Sequence, residues 1–217
     1  MIRSTKKKNI QPKHVAITVS GLSHIQKKLK KSRIYKKRDL VIRQIVAWQV
    51  KNKIPILSFF MLPANRKISD EMDSLAQFFK KIARSSLIHR HQIKISVLGK
   101  WYDLPGNVVL SLKSAIFESR NYDRFFLNFC VNYDGQEEIV DACRLITRKV
   151  LTDEMQFSEI NKETLKEHLY SSYFLPVELL IVTGKKTIIP NFLIWDCPDA
   201  KIHFTRKSFN ELKFMLN

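Results

Sequence analysis

The residues best placed for chemistry sit where an apolar run stops. In the stretch HVAITVSGLSH, residues 14–24, the segment Val15 to Val19 ends at Ser20-Gly21 and leads into a strongly basic stretch. A strand-to-helix turn offers free backbone N–H groups to an anion, and ligands of α/β proteins bind at the carboxyl ends of parallel strands. Backbone donors and nearby lysines make this strand end a candidate anion site.

Other chemistries are poorly supported. Ser20 has no GxSxG elbow around it and no base placed beside it, so a nucleophilic role lacks an activating partner. His89 and His91 flank Arg90 at the end of an apolar helical run, which reads as a solvated helix terminus. Cys130, Cys143 and Cys197 are odd in number and lack CxxC spacing, so neither a disulfide framework nor a zinc site is indicated. The sequence contains no GxGxxG after the first strand, no GxxxxGK[ST] and no HExxH.

The elements that must position the strand end follow an alternating pattern. Apolar runs at 15–19, 54–62, 93–98, 125–131, 178–183 and 202–204 read as strands. Helical periodicity is expected over 22–52, 69–88, 108–120, from Gln136 onward and over 162–169. Leu40, Ile42, Ile45, Val46, Trp48 and Val50 should form one buried face, and Ile139, Val140, Cys143 and Ile146 another. The expected fold is therefore α/β, with a central, mostly parallel sheet of about six strands flanked by helices.

The 217 residues suit one domain, 14–217, behind a basic tail of residues 1–13. The formal net charge is +18, and the first 38 residues hold 13 basic side chains and no Asp or Glu. Such a surface attracts polyanions: nucleic acid, an anionic membrane surface or a phosphorylated substrate. Only Tyr35 is aromatic within that block, which offers no stacking platform for bases. The opening residues lack the apolar core of a secretory signal, and no apolar run approaches bilayer-spanning length. A cytoplasmic protein, peripheral at a membrane if it engages anionic lipid, is the expectation.

Three ordered segments resemble the cis-prenyltransferases, the family of undecaprenyl diphosphate synthase. HVAITVSG resembles the family's first strand and diphosphate loop, His-Val-Ala-Ile-Ile-Met-Asp-Gly. LNFCVNYDGQEEIVDACR, residues 127–144, resembles its Leu-Asn-x-Ala-x-Asn-Tyr-Gly-Gly-Arg-x-Glu-Ile segment. LPVELLIVTGKKTIIPNFLIWD, residues 175–196, is similar to its Pro-Asp-Leu-Leu-Ile-Arg-Thr-Ser-Gly-Glu-x-Arg-x-Ser-Asn-Phe-Leu-Leu-Trp-Gln. The likeness runs from His14 to Phe204 and implies the family's fold, with an elongated apolar tunnel for the prenyl chain.

The departures fall on the positions that the resemblance marks as functional. Ser20 stands for the aspartate that organises magnesium, and Lys201 for the glutamate that assists it. Val182 and Ile188 replace two diphosphate-binding arginines, and Pro190 replaces a serine. Neutral side chains cannot supply the bidentate forks that hold phosphate. By the same resemblance Gly21, His24, Arg33 and Lys37 are candidate diphosphate binders, His24 for an arginine and Lys37 for a histidine. Asn65 and Asn191 are candidate pocket residues, while Lys185 and Lys186 restore charge nearby.

The expectation is a diverged homologue lacking the usual metal and diphosphate residues, a noncatalytic or accessory subunit in polyprenyl diphosphate metabolism. Its partner would be a catalytic cis-prenyltransferase subunit or a second copy of itself, with an isoprenyl diphosphate or polyprenyl lipid as ligand. Two alternatives stay open. One is an active isoprenoid diphosphate transferase or cyclase with a rebuilt site, using Mg2+ by family resemblance. The other is a binding protein for nucleic acid or anionic membrane on the same fold.

Overall fold

The computed structural model describes residues 11–18, 31–64, 69–184 and 188–205. They form a six-stranded sheet built from β1 (His14–Thr18), β2 (Ile56–Pro63), β3 (Ile93–Leu98), β4 (Phe125–Tyr133), β5 (Leu179–Thr183) and β6 (Lys201–Thr205). The spatial order is β3-β4-β2-β1-β5-β6, and every neighbouring pair is parallel. Central strands of an all-parallel sheet are covered on both faces, which explains why β1, β2 and β4 read as near-continuous apolar runs.

Side-chain alternation sends the two sets of strand residues to different cores. Val15, Ile17, Leu57, Phe59, Leu127 and Phe129 face one side, where helices α1 (Lys31–Lys51), α2 (Ser69–Ala83) and α4 (Gly106–Glu118) pack. Ala16, Phe60, Cys130, Leu180 and Val182 face the other. That side is closed by Val177, Phe192 and Leu193, beside α5 (Gly135–Leu151) and α6 (Lys162–Glu167). The short α3 (Ser86–Arg90) follows a break at Arg84-Ser85, so the helix expected over 69–88 is two.

Four phenyl rings fill the first core. Phe129 contacts Phe79 at 5.1 Å, Phe78 at 5.5 Å and Phe59 at 5.8 Å between ring centroids. All four rings are almost wholly shielded from solvent. The Phe78 and Phe79 contacts are edge-to-face and the Phe59 contact is stacked, and aromatic pairs of either kind add about 0.5–1.5 kcal/mol beyond area burial.

Two expected helix faces are corrected by burial. On α1 the inward set is Arg38, Val41, Ile42, Ile45, Val46, Trp48 and Gln49, while Leu40 is 56% exposed. Gln49 is accepted inside because its Nε2 donates to the Phe126 carbonyl at 3.0 Å. On α5 the inward residues are Gly135, Glu138, Ala142 and Ile146, whereas Val140 and Cys143 face outward. Ile146 is buried as expected, and Ile139 is half-buried.

Local chemistry fixes the connections that matter below. Gly99 closes β3 at φ +104°, and a Cβ there would lie 2.6 Å from the Val131 carbonyl oxygen, so only glycine fits. Asp134 caps α5, accepting from the N–H groups of Gln136 and Glu137. Among the described residues, no helix is long and apolar enough to cross a membrane.

Candidate active site at the carboxyl edge of the sheet

Adjacent strands β1 and β5 send their outgoing connections to opposite faces of the sheet. β1 leads towards α1 on the phenylalanine side, and β5 leads into residues 188–200 on the other. A crevice opens at the carboxyl ends of such a pair. The same reversal occurs between β2, which leads to α2, and β4, which leads to α5.

Thr18 and Thr183 close the floor of the β1–β5 crevice. The Thr183 N–H donates to Thr18 Oγ1 at 2.9 Å, and the Thr183 hydroxyl donates to the Thr18 carbonyl. Both side chains are buried, so their polar atoms serve each other. Beyond β5, Gly184 N–H donates to the Thr205 carbonyl at 2.9 Å, tying the strand end to β6.

The described members of the group that the sequence marked take different places. Val182 is buried in the second core. Ile188 is 64% exposed on the segment after β5, Pro190 is half-buried, and Asn191 is exposed. Arg33 belongs to the first turn of α1, and Lys37 is exposed one turn later. Ser20, Gly21, His24, Asn65, Lys185 and Lys186 lie outside the described residues.

Lys201 begins β6, paired with Leu179, and so lies at the amino edge of the sheet. Four residue steps of strand, about 13 Å, separate it from the carboxyl edge. Within one chain it is not brought to Thr18 and Thr183. Chain order alone could not reveal this, because the edge on which a strand residue sits depends on the register.

Asn191 joins two elements at this edge. Its Nδ2 donates to Asp134 Oδ2 at 3.1 Å, and its carbonyl accepts from Gly135 N–H at 3.0 Å. The segment after β5 is thereby tied to the first turn of α5. At the end of β4, Asn132 adopts φ +49° and donates from Nδ2 to the Lys100 carbonyl at 2.7 Å. Lys100 in turn bridges Glu137 at 2.9 Å and Asp141 at 3.1 Å, holding the loop after β3 against α5.

Two buried polar chains support this edge from below. His14 Nδ1 lies 2.6 Å from the Leu175 carbonyl, which can only accept, so the proton sits on Nδ1. Nε2 then accepts from Ser58 Oγ at 2.8 Å, and Ser58 accepts from Asn128 Nδ2 at 3.1 Å. Burial lowers the His14 pKa and keeps the ring neutral. In the second chain Tyr133 donates its hydroxyl to Glu138, whose other oxygen accepts from Ser171 N–H at 3.0 Å. Burial raises the Glu138 pKa against these hydrogen bonds. Lys166 donates to Asp196 at 2.5 Å and to the Ser171 carbonyl at 2.8 Å.

Each of these side chains has at least one partner, while Asn128 Oδ1 and Asp196 Oδ2 are buried without one among the described residues; the arrangement is that of a structural network. In the sequence, His14, Asn128 and Tyr133 stand where the quoted segments match the family's own residues. The histidines at α3 are likewise structural: His89 contacts the Tyr122 hydroxyl and the Ala83 carbonyl, half-buried and not simply solvated. Among the described residues, no group of three or more His, Cys, Asp or Glu converges to hold a metal ion.

The Prenyltransf family model, that of undecaprenyl diphosphate synthase, matches residues 23–215. The chain belongs to this cis-prenyltransferase family. The geranylgeranyl-diphosphate-specific tritrans,polycis-undecaprenyl-diphosphate synthase of Methanocaldococcus jannaschii is 32% identical over 203 residues, covering 89% of this chain and 72% of that protein. An isoprenyl transferase of Prochlorococcus marinus is 30% identical, covering 94% and 78%.

Solved cis-prenyltransferase folds agree. Lavandulyl diphosphate synthase from Lavandula x intermedia, in complex with dimethylallyl diphosphate, superposes with a TM-score of 0.86 and 25% identity, covering 95% of this chain and 94% of that one. A protein described as a probable undecaprenyl diphosphate synthase from Campylobacter jejuni gives a TM-score of 0.71 at 20% identity, over 94% and 93% of the two chains. Family and fold expected from the three segments are both established.

Proposed function

We propose that this cis-prenyltransferase chain has given up autonomous, magnesium-assisted elongation and acts as a noncatalytic partner of a competent family subunit. The observation that carries the reading is the chemistry of the β1–β5 crevice. Its floor is a pair of threonines bonded to each other, Val182 is turned into the core beneath it, and the segment beyond β5 carries Ile188 and Pro190. Prenyl transfer releases diphosphate, and its developing charge has to be met by cations or preorganised donors. Apolar side chains meet none of it.

The donor set also does not fit magnesium. Mg2+ takes hard oxygen ligands in near-octahedral geometry, usually through one or two carboxylates. By the resemblance Ser20, a neutral hydroxyl, stands for the loop aspartate, and Lys201, a positive charge that begins β6 at the other edge of the sheet within this chain, stands for the glutamate. What the chain retains is scaffold: Asn128, Tyr133, Gly135 and Phe192 all lie inside the folded core. A scaffold kept whole around a neutralised site suits a subunit that supports a partner.

The test is copurification from the native source, followed by prenyl-transfer assays of the chain alone and with its companion. Activity that requires the companion supports the reading, and equal activity without it contradicts the reading.

A second reading is favoured by the four-phenylalanine stack. Phe59, Phe78, Phe79 and Phe129 occupy space between α2 and the sheet that a long prenyl chain would need. If the chain is active, a filled core suits a short allylic diphosphate such as the one bound by the lavender relative. Arg33 and Lys37 would then supply the cations. A product from a panel of allylic diphosphates, abolished by Arg33→Ala, would establish this alternative.

A further inference from the structure

Helix α1 carries a second face unrelated to its packing. At 3.6 residues per turn, Lys36, Lys37, Arg43 and Lys51 all fall within about 60° of Leu40. All five are exposed, and Leu40 stands in their midst at 56% exposure. The helix has one acidic residue, Asp39, whose side chain is mostly buried and bonded to Arg38 at 3.2 Å. Asp39 is also within electrostatic reach of Lys81 on α2 and of Arg43. One engaged carboxylate thus faces three cations. The sequence preceding the helix adds further lysines and no acid.

We infer that the outward face of α1 is a docking surface for an anionic lipid bilayer. The cations sit at the level of the lipid phosphates, and Leu40 enters the boundary between headgroups and acyl chains. Charge complementarity accounts for the attraction, and the exposed leucine chooses the occupant. A nucleic acid would use the cations but leave Leu40 without a partner, and the face has no aromatic ring on which a base could stack. Because α1 begins at the carboxyl edge of the sheet, the docked face runs up to the crevice. This inference goes beyond the proposed function and does not depend on whether the chain catalyses.

The experiment is cosedimentation of the full-length protein with phosphatidylcholine vesicles, with and without phosphatidylglycerol, across a salt series. Binding should require phosphatidylglycerol and fall steeply with salt. The triple variant Lys36→Ala, Arg43→Ala, Lys51→Ala should partition about a hundredfold less, taking a factor of about five per cation. Leu40→Gln should lose on the order of tenfold and leave the salt dependence intact. Both variants should melt with the parent protein, since every changed side chain is exposed.

Equal binding to uncharged vesicles would overturn the inference, as would a triple variant that binds as well as the parent. So would binding that depends on residues 1–13 and ignores the α1 substitutions. RNA binding through the same cations without vesicle binding would replace the bilayer with a nucleic acid.

Discussion

Asn191 reaches back from the segment after β5 to the carboxylate of Asp134, 3.1 Å away, and joins the crevice flank to the helix that β4 feeds. Asp134 performs two tasks at once, because its other oxygen caps α5. Asp134→Ala should therefore cost about 1–2 kcal/mol in urea unfolding, and Asn191→Ala on the order of 0.5–1 kcal/mol. The double variant should cost less than the sum, since the shared bond can be lost once. Strict additivity would mean that the two side chains do not interact in solution.

His14 predicts a pH dependence with a definite sign. Burial depresses its folded pKa below the ordinary 6.5, so the unfolded chain binds a proton that the folded chain refuses. The contribution is fully present above about 6.5 and is lost as pH falls through that value towards the folded pKa. His14→Gln should be less stable at neutral pH but show a flatter acid limb. Heteronuclear NMR of the wild type should find the proton on Nδ1 in the neutral ring. An Nε2–H tautomer would break the bond from Nδ1 to the Leu175 carbonyl and contradict this assignment.

Phe129 is the hub of the aromatic stack. Phe129→Ala should destabilise by about 3–5 kcal/mol, since the ring is fully buried and its neighbours close only partly over the space. Chemical denaturation measures this directly. A loss below about 1 kcal/mol would show a core loose enough to admit a prenyl chain.

Magnesium should have no special effect. A ligand that binds only the folded state raises its melting temperature in a saturable way. Magnesium chloride should shift the melting temperature no more than sodium chloride of equal ionic strength. A saturable, magnesium-specific rise would mean that other carboxylates complete a site.

Much of the fold could be read from the residues because parallel strands covered on both faces write themselves as apolar runs. β3 and β4 were legible almost to the residue, since turn chemistry at Gly99 and the α5 cap bound them. Burial of polar groups was not legible. Arg38, Gln49 and Glu138 turn inward because partners elsewhere in the chain receive them: rings of Tyr35 and Phe78 over Arg38, the Phe126 carbonyl for Gln49, and Tyr133 with Ser171 for Glu138. Periodicity weighs side chains one helix at a time and cannot see such partners.

The candidate site shows the same division. The three segments of family likeness lie at strand ends or just beyond them, on the edge where β1 and β5 part. They did not disclose that Lys201 sits at the opposite edge, nor that Thr18 and Thr183 satisfy each other. The first depends on the register of β6 against β5, and the second on strands 165 residues apart in the chain.

The most direct measurement is incorporation of labelled isopentenyl diphosphate by the pure chain, given farnesyl or geranylgeranyl diphosphate and magnesium. The account predicts no elongated product above the no-enzyme background. Sustained, multiple-turnover elongation by the chain alone would contradict it.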